Sequence, residues 1–283
     1  MARSVMKAGY PVAAFDIDPA ARESITRDGA EVFPSPREIA GSCTVIITML
    51  PSPRAVREAV FGGDGILREI NDSKLLVEMS TVDLELTLEV ARAVEERGGM
   101  FLDAPVAGTP DRVPTRDLEI LVSGNKRAVF ERFSGLFDAL GKRIVFVGKA
   151  GNGKILKLTA NAMIAINKMA AVEATSVALK NGIDPEILLD VLGHSTANSV
   201  VFERYGRTIL GEETPITNRH SWHLKDLQLM QELCAGSGCS FYLGALTHEI
   251  IQSACSAQPD GVETLGAYVK FYERANHSVR RSE

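Results

Sequence analysis

The sequence has few cysteines, no long apolar run and no excess of basic residues. Its four cysteines among 283 residues have no C-x-x-C spacing, and no charged and apolar targeting signal opens the chain, so we expect a reducing, cytoplasmic location. No uninterrupted apolar run approaches the roughly 20 residues of a membrane helix. The net charge of −5 offers no basic surface to nucleic acid or anionic lipid. These absences predict neither a nucleic-acid partner nor a membrane partner.

Short apolar runs alternate with amphipathic segments through the first half of the chain. Asp18-Pro19, Ser52-Pro53 and Asp83 indicate helix starts, because such residues cap a helix or fix its first turn. Alternating strands and helices predict a parallel sheet covered on both faces, and hence an α/β fold. The predicted strands are Pro11 to Phe15, Cys43 to Met49, Lys74 to Met79, Met100 to Pro105, Glu119 to Ser123 and Arg143 to Val147.

The strand pattern stops near Gly151, and the following residues have the pattern of helices broken by glycine, asparagine and proline. A chain of 283 residues fits two domains of ordinary size. We therefore expect an α/β domain over residues 1–148 and an all-α domain over residues 149–283.

A tight glycine turn and two polar residues mark the start of the first long helix of the second half. Lys157 and Asn161 are four residues apart, so their side chains lie on one helical face. Neighbours such as Leu156, Met163 and Ile164 are apolar, which predicts a largely buried helix. A lysine in that setting is either a side chain that extends to the surface or a functional group.

Asp16 follows the first predicted strand, where a dinucleotide-binding fold places the acid that hydrogen-bonds an adenosine ribose. It is equally typical of a turn or a helix cap. The glycine-rich G-x-G-x-x-G fingerprint belongs about 20 residues upstream of that acid. Only fifteen residues precede Asp16, and Met1 to Gly9 has the pattern of a helix tail. We therefore expect that the chain begins inside the first βαβ unit, at an internal methionine or as a gene fragment.

Five motifs occur in order along the chain. They are Met49-Leu50-Pro51, Ser80-Thr81, Asp103-Ala104-Pro105-Val106, Gly151-x-Gly153-x-x-x-Lys157-x-x-x-Asn161 and Lys225-Asp226-Leu227. Their order and spacing resemble those of the β-hydroxyacid dehydrogenases, of which the 3-hydroxyisobutyrate dehydrogenases are the best-known members. The resemblance implies a Rossmann-type domain that binds NAD or NADP and a helical domain that mediates a homodimer or homotetramer. The implied reaction is hydride transfer between nicotinamide and a small 3-hydroxy acid or its semialdehyde.

The resemblance also assigns roles around the substrate. It implies that Lys157 is the catalytic lysine, which accepts or donates the proton of the reacting oxygen. The implied substrate-binding residues are Ala107, Gly108, Thr109 and Asn161. Relatives usually have Ser-Gly-Gly where this chain has Ala107-Gly108-Thr109. The serine hydroxyl is therefore lost at position 107, and a threonine hydroxyl appears at position 109. Thr109, or Arg112 and Arg116 in the following loop, would then bind the substrate carboxylate.

For the cofactor, the resemblance implies that Leu50, Pro51, Thr81 and Lys225 line its site, with Thr81 and Lys225 toward the nicotinamide. Asp16 favours NAD over NADP, because a carboxylate repels a 2′-phosphate. Without the resemblance, Leu50-Pro51 is typical of a strand end and Thr81 of the entry to a helix. Lys225 would then be half of an ordinary Lys-Asp surface pair.

The first strand of the family's sheet is missing from this sequence, and it is the central one in a 3-2-1-4-5-6 order. Its absence should leave its two neighbouring strands unpaired with each other. The glycine turn that holds the pyrophosphate is missing with it, so we expect weak NAD binding by the chain as written.

Two other classes of function stay open. A catalytically silent relative would serve as an oligomeric scaffold or interaction module, which the missing nucleotide-binding turn favours and Lys157 opposes. A metal hydrolase would rest on His220, His223 and Asp226, but no other candidate ligand clusters with them, and we expect no metal site.

Overall fold

The structure is a computed structural model that describes residues 1–210, 212, 220–257, 268–269, 271–272 and 274. The chain divides into two compact units, residues 1–157 and residues 158–283. The first contains strands and helices, whereas the described part of the second is helical, which confirms the predicted fold class. The domain boundary after residue 148 stays a prediction, because a compact unit need not be an independently folding domain.

Strands and helices alternate along the first unit. Its strands are β1 Ala13–Ala14, β2 Glu31–Val32, β3 Val45–Thr48, β4 Leu75–Glu78, β5 Met100–Asp103, β6 Val106–Ala107, β7 Glu119–Val122 and β8 Arg143–Phe146. Its helices are α1 Ala2–Lys7, α2 Pro19–Arg27, α3 Pro36–Ser42, α4 Pro53–Phe61, α5 Leu84–Glu95, α6 Arg127–Arg132 and α7 Ser134–Asp138, with 3-10 helices at Ile66–Arg68 and Pro110–Arg112. The predicted strands are all present; β1, β3 and β4 are shorter than predicted at both ends, and β5, β7 and β8 only at the carboxyl end. Strands β2 and β6 were missed because two residues leave no periodic pattern.

Side-chain caps begin three of these helices as the sequence predicts. Asp18, Ser52 and Asp83 each accept a hydrogen bond from a backbone amide two or three residues later. A proline follows the first two caps, and its fixed φ suits the first turn of a helix. Local sequence therefore determines where α2, α4 and α5 begin.

The sheet is parallel over most of its width. Strand β1 pairs with β2, and β3, β4 and β5 pair in that order, all in parallel. Strand β8 is parallel to β7, while β6 is antiparallel to β7. An antiparallel bridge between Asp103 and Ser123 continues the β6–β7 ladder to the end of β5. The carboxyl ends of β5 and β7 therefore meet.

Both faces of the central strand β4 are covered by apolar side chains. Leu76 packs on one face in a cluster with Val90 of α5. Leu75 and Val77 pack on the other face in a cluster with Phe137 of α7. All four residues of β4 are buried, as expected for a parallel strand between two helical layers.

Strands β1 and β3 are the two strands that the sequence analysis expects to be unpaired with each other. In residues 1–157, all of which are described, β1 pairs only with β2 and β3 pairs only with β4. The expectation that these strands would be unpaired with each other is confirmed. The helix expected in the first nine residues is also present, as α1, and Gly9 follows it with a φ of +90°.

The second unit is built around one long helix. Helix α8 Asn152–Lys180 begins in the first unit and is followed by α9 Pro185–Gly193, α10 Val200–Ile209, α11 His220–Ser237 and α12 Tyr242–Ser256. Met169 and Val172 of α8 pack in a core cluster with Leu227 of α11 and Ile251 of α12. The break expected at Gly236 lies inside α11, and the chain instead turns at Gly238, whose φ is +69°. Gly211, another expected break, lies outside the described residues.

Helix α8 differs in one respect from the sequence-based expectation. It is not largely buried, because Leu156, Met163 and Ile164 are all exposed. Its length and mean hydropathy would also suffice for a membrane span, although lysine and other polar residues interrupt its apolar runs as the sequence analysis expects. One such helix is weak evidence for a membrane, since core helices pass the same test. Three buried lysines on α8, at 154, 157 and 168, favour a core helix.

The gap between β1 and β3 generates a prediction about stability. Fusing a segment with an apolar strand and a glycine turn ahead of residue 1 should fill this gap and pair both strand edges. We expect the melting temperature to rise by at least about 4 °C, which corresponds to roughly 1 to 2 kcal/mol in a chain of this size. The control is the same segment with two prolines in the strand, which cannot pair as a central strand. Equal shifts from both segments would contradict the prediction.

Candidate active site

A lysine with no exposed surface lies in the first turn of α8. Lys154 Nζ is 2.6 Å from Glu78 Oε2 and 2.8 Å from Asp103 Oδ1, and all three side chains are fully buried. The same ammonium donates to the Ser80 carbonyl at 2.5 Å. Glu78 Oε1 also accepts from the Ser80 amide at 2.8 Å. One cation therefore connects the carboxyl ends of the adjacent strands β4 and β5.

The backbone at the start of α8 is attached to the same strand ends. Asp103 Oδ2 accepts from the Lys154 amide at 3.1 Å and from Ser123 Oγ at 2.9 Å. Ser123 Oγ in turn accepts from the Gly153 amide at 3.1 Å. The first amides of a helix have no partner within it, so here the ends of β5 and β7 supply the acceptors.

Charge within this cluster is nearly balanced. Burial alone would lower the pKa of Lys154, but the attraction of Asp103 and Glu78 outweighs burial and raises that pKa above its ordinary value. Two carboxylates face one ammonium, and the positive end of the α8 dipole favours the additional negative charge. Removing one partner of a buried ion pair typically costs about 3–5 kcal/mol. The cluster therefore strongly constrains where α8 begins.

Two glycines allow α8 to begin so close to the sheet. Gly151 has a φ of +91°, in the left-handed region that favours glycine. A Cβ on Gly153 would lie 2.5 Å from the Leu121 carbonyl oxygen and 2.9 Å from Asp103 Oδ2. A larger residue at position 153 would push α8 away from β5 and β7. The glycine turn expected at this helix start is confirmed.

Lys157 and Asn161 follow at successive turns of α8. Lys157 is buried, with 9% of its surface exposed. Asn161 is half-buried and donates through Nδ2 to Asp226 Oδ2 at 2.6 Å. Lys225 Nζ lies 3.4 Å from Asp226 Oδ1. Asp226, which the sequence analysis named in a family motif and as a possible metal ligand, therefore joins Asn161 to Lys225.

The predicted cofactor residues of the first unit all follow strands at the same edge of the sheet. Asp16 is exposed, lies two residues after β1 and accepts from a backbone amide through Oδ1 at 2.9 Å. The Leu50 amide donates to Ser80 Oγ at 2.8 Å, which joins the segments after β3 and β4. Pro51 is exposed and Thr81 is half-buried. Doubly wound sheets bind nucleotides at this edge, outside the carboxyl ends of their strands.

The predicted substrate-binding segment follows β5 closely. Ala107 ends β6 opposite Glu119 of β7. Gly108 has a φ of +141°, and Thr109 is half-buried just before a 3-10 helix. These three residues therefore follow β5 along the antiparallel β6–β7 ladder.

The two arginines considered for the carboxylate are already engaged within the first unit. Arg112 pairs with Asp117 at 3.4 Å. Arg116 donates to the Asp138 carbonyl at 3.5 Å and has a φ of +57°. Binding a substrate carboxylate would require Arg112 to leave its carboxylate partner.

The second unit contains another buried lysine. Lys168 is 4% exposed, and its Nζ lies 3.0 Å from His223 Nε2 and 4.4 Å from the centre of the Tyr205 ring. An ammonium donor requires an unprotonated Nε2, so His223 is neutral in this contact. Burial, and then repulsion by Arg204, lowers the pKa of Lys168 to about 8.

The residues proposed for a metal hydrolase have other partners. His223 faces Lys168, and Asp226 faces Asn161. The side chain of His220 lies outside the described residues. Within the described part of the chain, no group of three or more His, Cys, Asp or Glu side chains is arranged to hold a metal ion.

A parallel sheet with polar residues at its carboxyl edge, and a buried lysine on the helix that leaves it, define a Rossmann-type oxidoreductase. Residues 1–148 match the family described as the NAD binding domain of 6-phosphogluconate dehydrogenase. Residues 151–272 match the family described as NAD-binding of NADP-dependent 3-hydroxyisobutyrate dehydrogenase.

Individual proteins agree with these family matches. The chain is 30% identical over 263 residues to the mitochondrial 3-hydroxyisobutyrate dehydrogenase of Mus musculus, covering 90% of this chain and 78% of the relative. It is 30% identical over 256 residues to glyoxylate/succinic semialdehyde reductase 1 of Arabidopsis thaliana, covering 90% and 88%. The structure of the Mycobacterium tuberculosis 3-hydroxyisobutyrate dehydrogenase with L-serine matches with a TM-score of 0.86 and 25% identity, covering 99% and 94%.

The chain therefore belongs to the β-hydroxyacid dehydrogenase family of NAD(P)-dependent oxidoreductases. The predicted family, reaction class and cofactor class are confirmed, and the scaffold alternative is not favoured.

The buried Lys168 predicts how stability depends on pH. The pKa of Lys168 is about 8 in the folded chain against an ordinary value of 10.5, so between these pH values the unfolded chain binds more protons. Stability should therefore rise with pH across this window, by up to roughly 3 kcal/mol. Lys168→Met should raise the free energy of unfolding at pH 7 and remove this rise, as measured by urea denaturation at several pH values. Lys180→Met, at an exposed position of the same helix, should keep it. If stability still rises with pH in Lys168→Met, Lys168 is not the group that causes the rise.

Proposed function

We propose that the chain interconverts a small 3-hydroxy acid and its semialdehyde, with Lys157 handling the proton and NAD as the preferred cofactor. The observation that carries this proposal is the buried Lys157 one turn after the α8 start, where the Lys154 cluster fixes the backbone. An alcohol that loses a hydride must also lose a proton, and the reverse reduction needs a proton donor. A lysine amine can serve in either direction.

The residues at the sheet edge fit two parts of a nicotinamide dinucleotide. Asp16 presents an exposed carboxylate after β1, which suits the hydroxyls of the adenosine ribose. Leu50, Pro51 and Thr81 follow β3 and β4 and would line the route toward the nicotinamide, and Lys225 would act at the nicotinamide end. The bound cofactor supplies the hydride acceptor or donor. A carboxylate at position 16 disfavours a 2′-phosphate, which supports NAD over NADP.

The pyrophosphate is the part of the cofactor that the described residues are least suited to hold. In the first twelve residues, Gly9 is the one glycine, and it follows α1 rather than a strand. A polypeptide of residues 1–283 is therefore expected to bind NADH weakly, and the fused strand and glycine turn described above should improve binding as well as stability.

The substrate would be held by Asn161 and by the segment of Ala107, Gly108 and Thr109. Asp226 orients the Asn161 amide by accepting a hydrogen bond from Nδ2. Relatives include a 3-hydroxyisobutyrate dehydrogenase and a glyoxylate/succinic semialdehyde reductase, so short acids of this kind are the first to assay.

A second copy of the chain is the partner we propose for the exposed face of α8. Met163, Ala170 and Val177 are spaced seven residues apart and are all exposed, with Met163 at 60%. Apolar residues at this spacing form a seam that suits another helix. A homodimer or homotetramer would cover it.

We also propose a cytoplasmic location, which is supported by four cysteines that are all free thiols.

Lys157→Ala provides the main test of the mechanism. Turnover followed at 340 nm with a panel of short hydroxy acids and semialdehydes, with both cofactors, should fall by at least about tenfold, because a positioned acid or base contributes ~10² to 10⁴. NADH binding, measured through energy transfer from Trp222, should stay unchanged. Lys149→Ala, at an exposed position before the helix, is the matched control and should keep parental activity. Residual activity near the parental level in Lys157→Ala would show that another group handles the proton.

Met163→Glu tests the proposed oligomer. A charge in the middle of a helix seam should shift the chain from dimer or tetramer toward monomer in light scattering coupled to size exclusion. Ser253→Glu adds the same charge at an exposed site of α12 and should leave the mass unchanged. A monomeric parent, or an unchanged mass for Met163→Glu, would contradict the proposed interface.

A further inference from the structure

We propose that Lys154 is a positioning residue of this active site, which sets the location of Lys157 relative to the segments after β4 and β5. The inference rests on the proposed role of Lys157. Lys154 itself is fully buried and is not expected to touch substrate or cofactor. It would act only through the backbone and side chains that it contacts.

The hydrogen-bond chemistry of an ammonium matches this position closely. Lys154 Nζ forms ion pairs with Glu78 Oε2 at 2.6 Å and with Asp103 Oδ1 at 2.8 Å. It also donates to the Ser80 carbonyl at 2.5 Å and to the Glu78 carbonyl at 3.4 Å, so its positive charge and its protons are both used. A neutral side chain such as methionine offers no donor, and glutamine offers two without charge. Lysine is therefore specified by the site rather than merely tolerated.

The contacts of Lys154 reach every segment of the first unit that carries a proposed substrate or nicotinamide residue. Ser80 immediately precedes Thr81. Asp103 precedes the segment of residues 107–109 by four positions. The Lys154 amide, which donates to Asp103 Oδ2, belongs to the helical turn that leads to Lys157.

This arrangement makes the position of Lys157 sensitive to Lys154. The two lysines are three residues apart, so they lie on neighbouring parts of one helical face. A small rotation or shift of the first turn would move the Lys157 amine relative to both strand ends. Misplacing a reacting group by about 1 Å can cost about 10² in rate. Loss of Lys154 should therefore reduce turnover even in a chain that is as stable as the parent.

The test separates positioning from stability. Lys154→Met alone leaves two buried carboxylates without a cation and is expected to fold poorly. The variant Lys154→Met/Glu78→Leu/Asp103→Asn removes all three buried charges, and the asparagine oxygen still accepts from the amide of residue 154 and from Ser123. We expect it to fold with a parental melting temperature, to bind NADH as the parent does, and to lose at least tenfold in kcat/KM.

Two controls accompany the variant. Lys74→Met removes a lysine that donates to the carbonyls of Gly41 and Cys43 at the opposite end of β4, so it should lower stability without lowering kcat/KM. Lys180→Met removes an exposed lysine at the far end of the same helix and should retain activity within threefold. A loss of activity in Lys180→Met equal to that of the triple variant would show that the loss is not specific to Lys154 and would overturn the role assigned to it.

A second readout does not depend on turnover. Amide hydrogen exchange in residues 104–109 and 152–158 should be at least tenfold faster in the triple variant at equal melting temperature, and unchanged in Lys74→Met. If the parent has no activity with any substrate, the proposed function fails while the exchange result still tests the positioning role. Parental kcat/KM in the triple variant, or parental exchange in both segments, would overturn the proposal.

Discussion

The buried ion cluster of Lys154, Glu78 and Asp103 is the interaction on which the first unit and its proposed site depend. Each of the three side chains is fully buried, so none of the charge is screened by water. Burial of one cation with two carboxylates is tolerated because one oxygen of each carboxylate pairs with the Lys154 ammonium and the other accepts hydrogen bonds. The α8 dipole also favours negative charge at the helix start. Together with Ser123, the cluster connects the carboxyl ends of β4, β5 and β7 with the start of α8. These elements are far apart in the sequence, so no local pattern links them.

Local patterns predicted most of the fold because they act over a few residues. The caps at Asp18, Ser52 and Asp83 were read correctly, since each bonds an amide within three residues. The strands were found because a buried parallel strand is a continuous apolar run. The exposure of Met163 was not predicted, because an apolar residue on a helix looks the same whether it faces a core or a partner.

The site was predicted less completely, for a physical reason. Lys154 contacts Glu78 and Asp103, which are 76 and 51 residues away, so no spacing pattern in one sequence links them. The signal in the sequence was Lys154, three residues before Lys157 at a mostly apolar helix start. A lysine that is buried there needs a buried partner of opposite charge. The contact between Asn161 and Asp226 was missed for the same reason, whereas a pair between the adjacent Lys225 and Asp226 was one of the alternatives considered.

The central claim is that Lys154 and its carboxylates act as one unit, and a double-mutant cycle on stability tests it most directly. Lys154→Met and Glu78→Leu would be compared singly and together by urea denaturation. Each single change should cost about 3–5 kcal/mol, and the double variant should cost less than their sum by at least about 1 kcal/mol. Losses that add to within about 0.5 kcal/mol would contradict the account, because residues without a shared interaction behave additively.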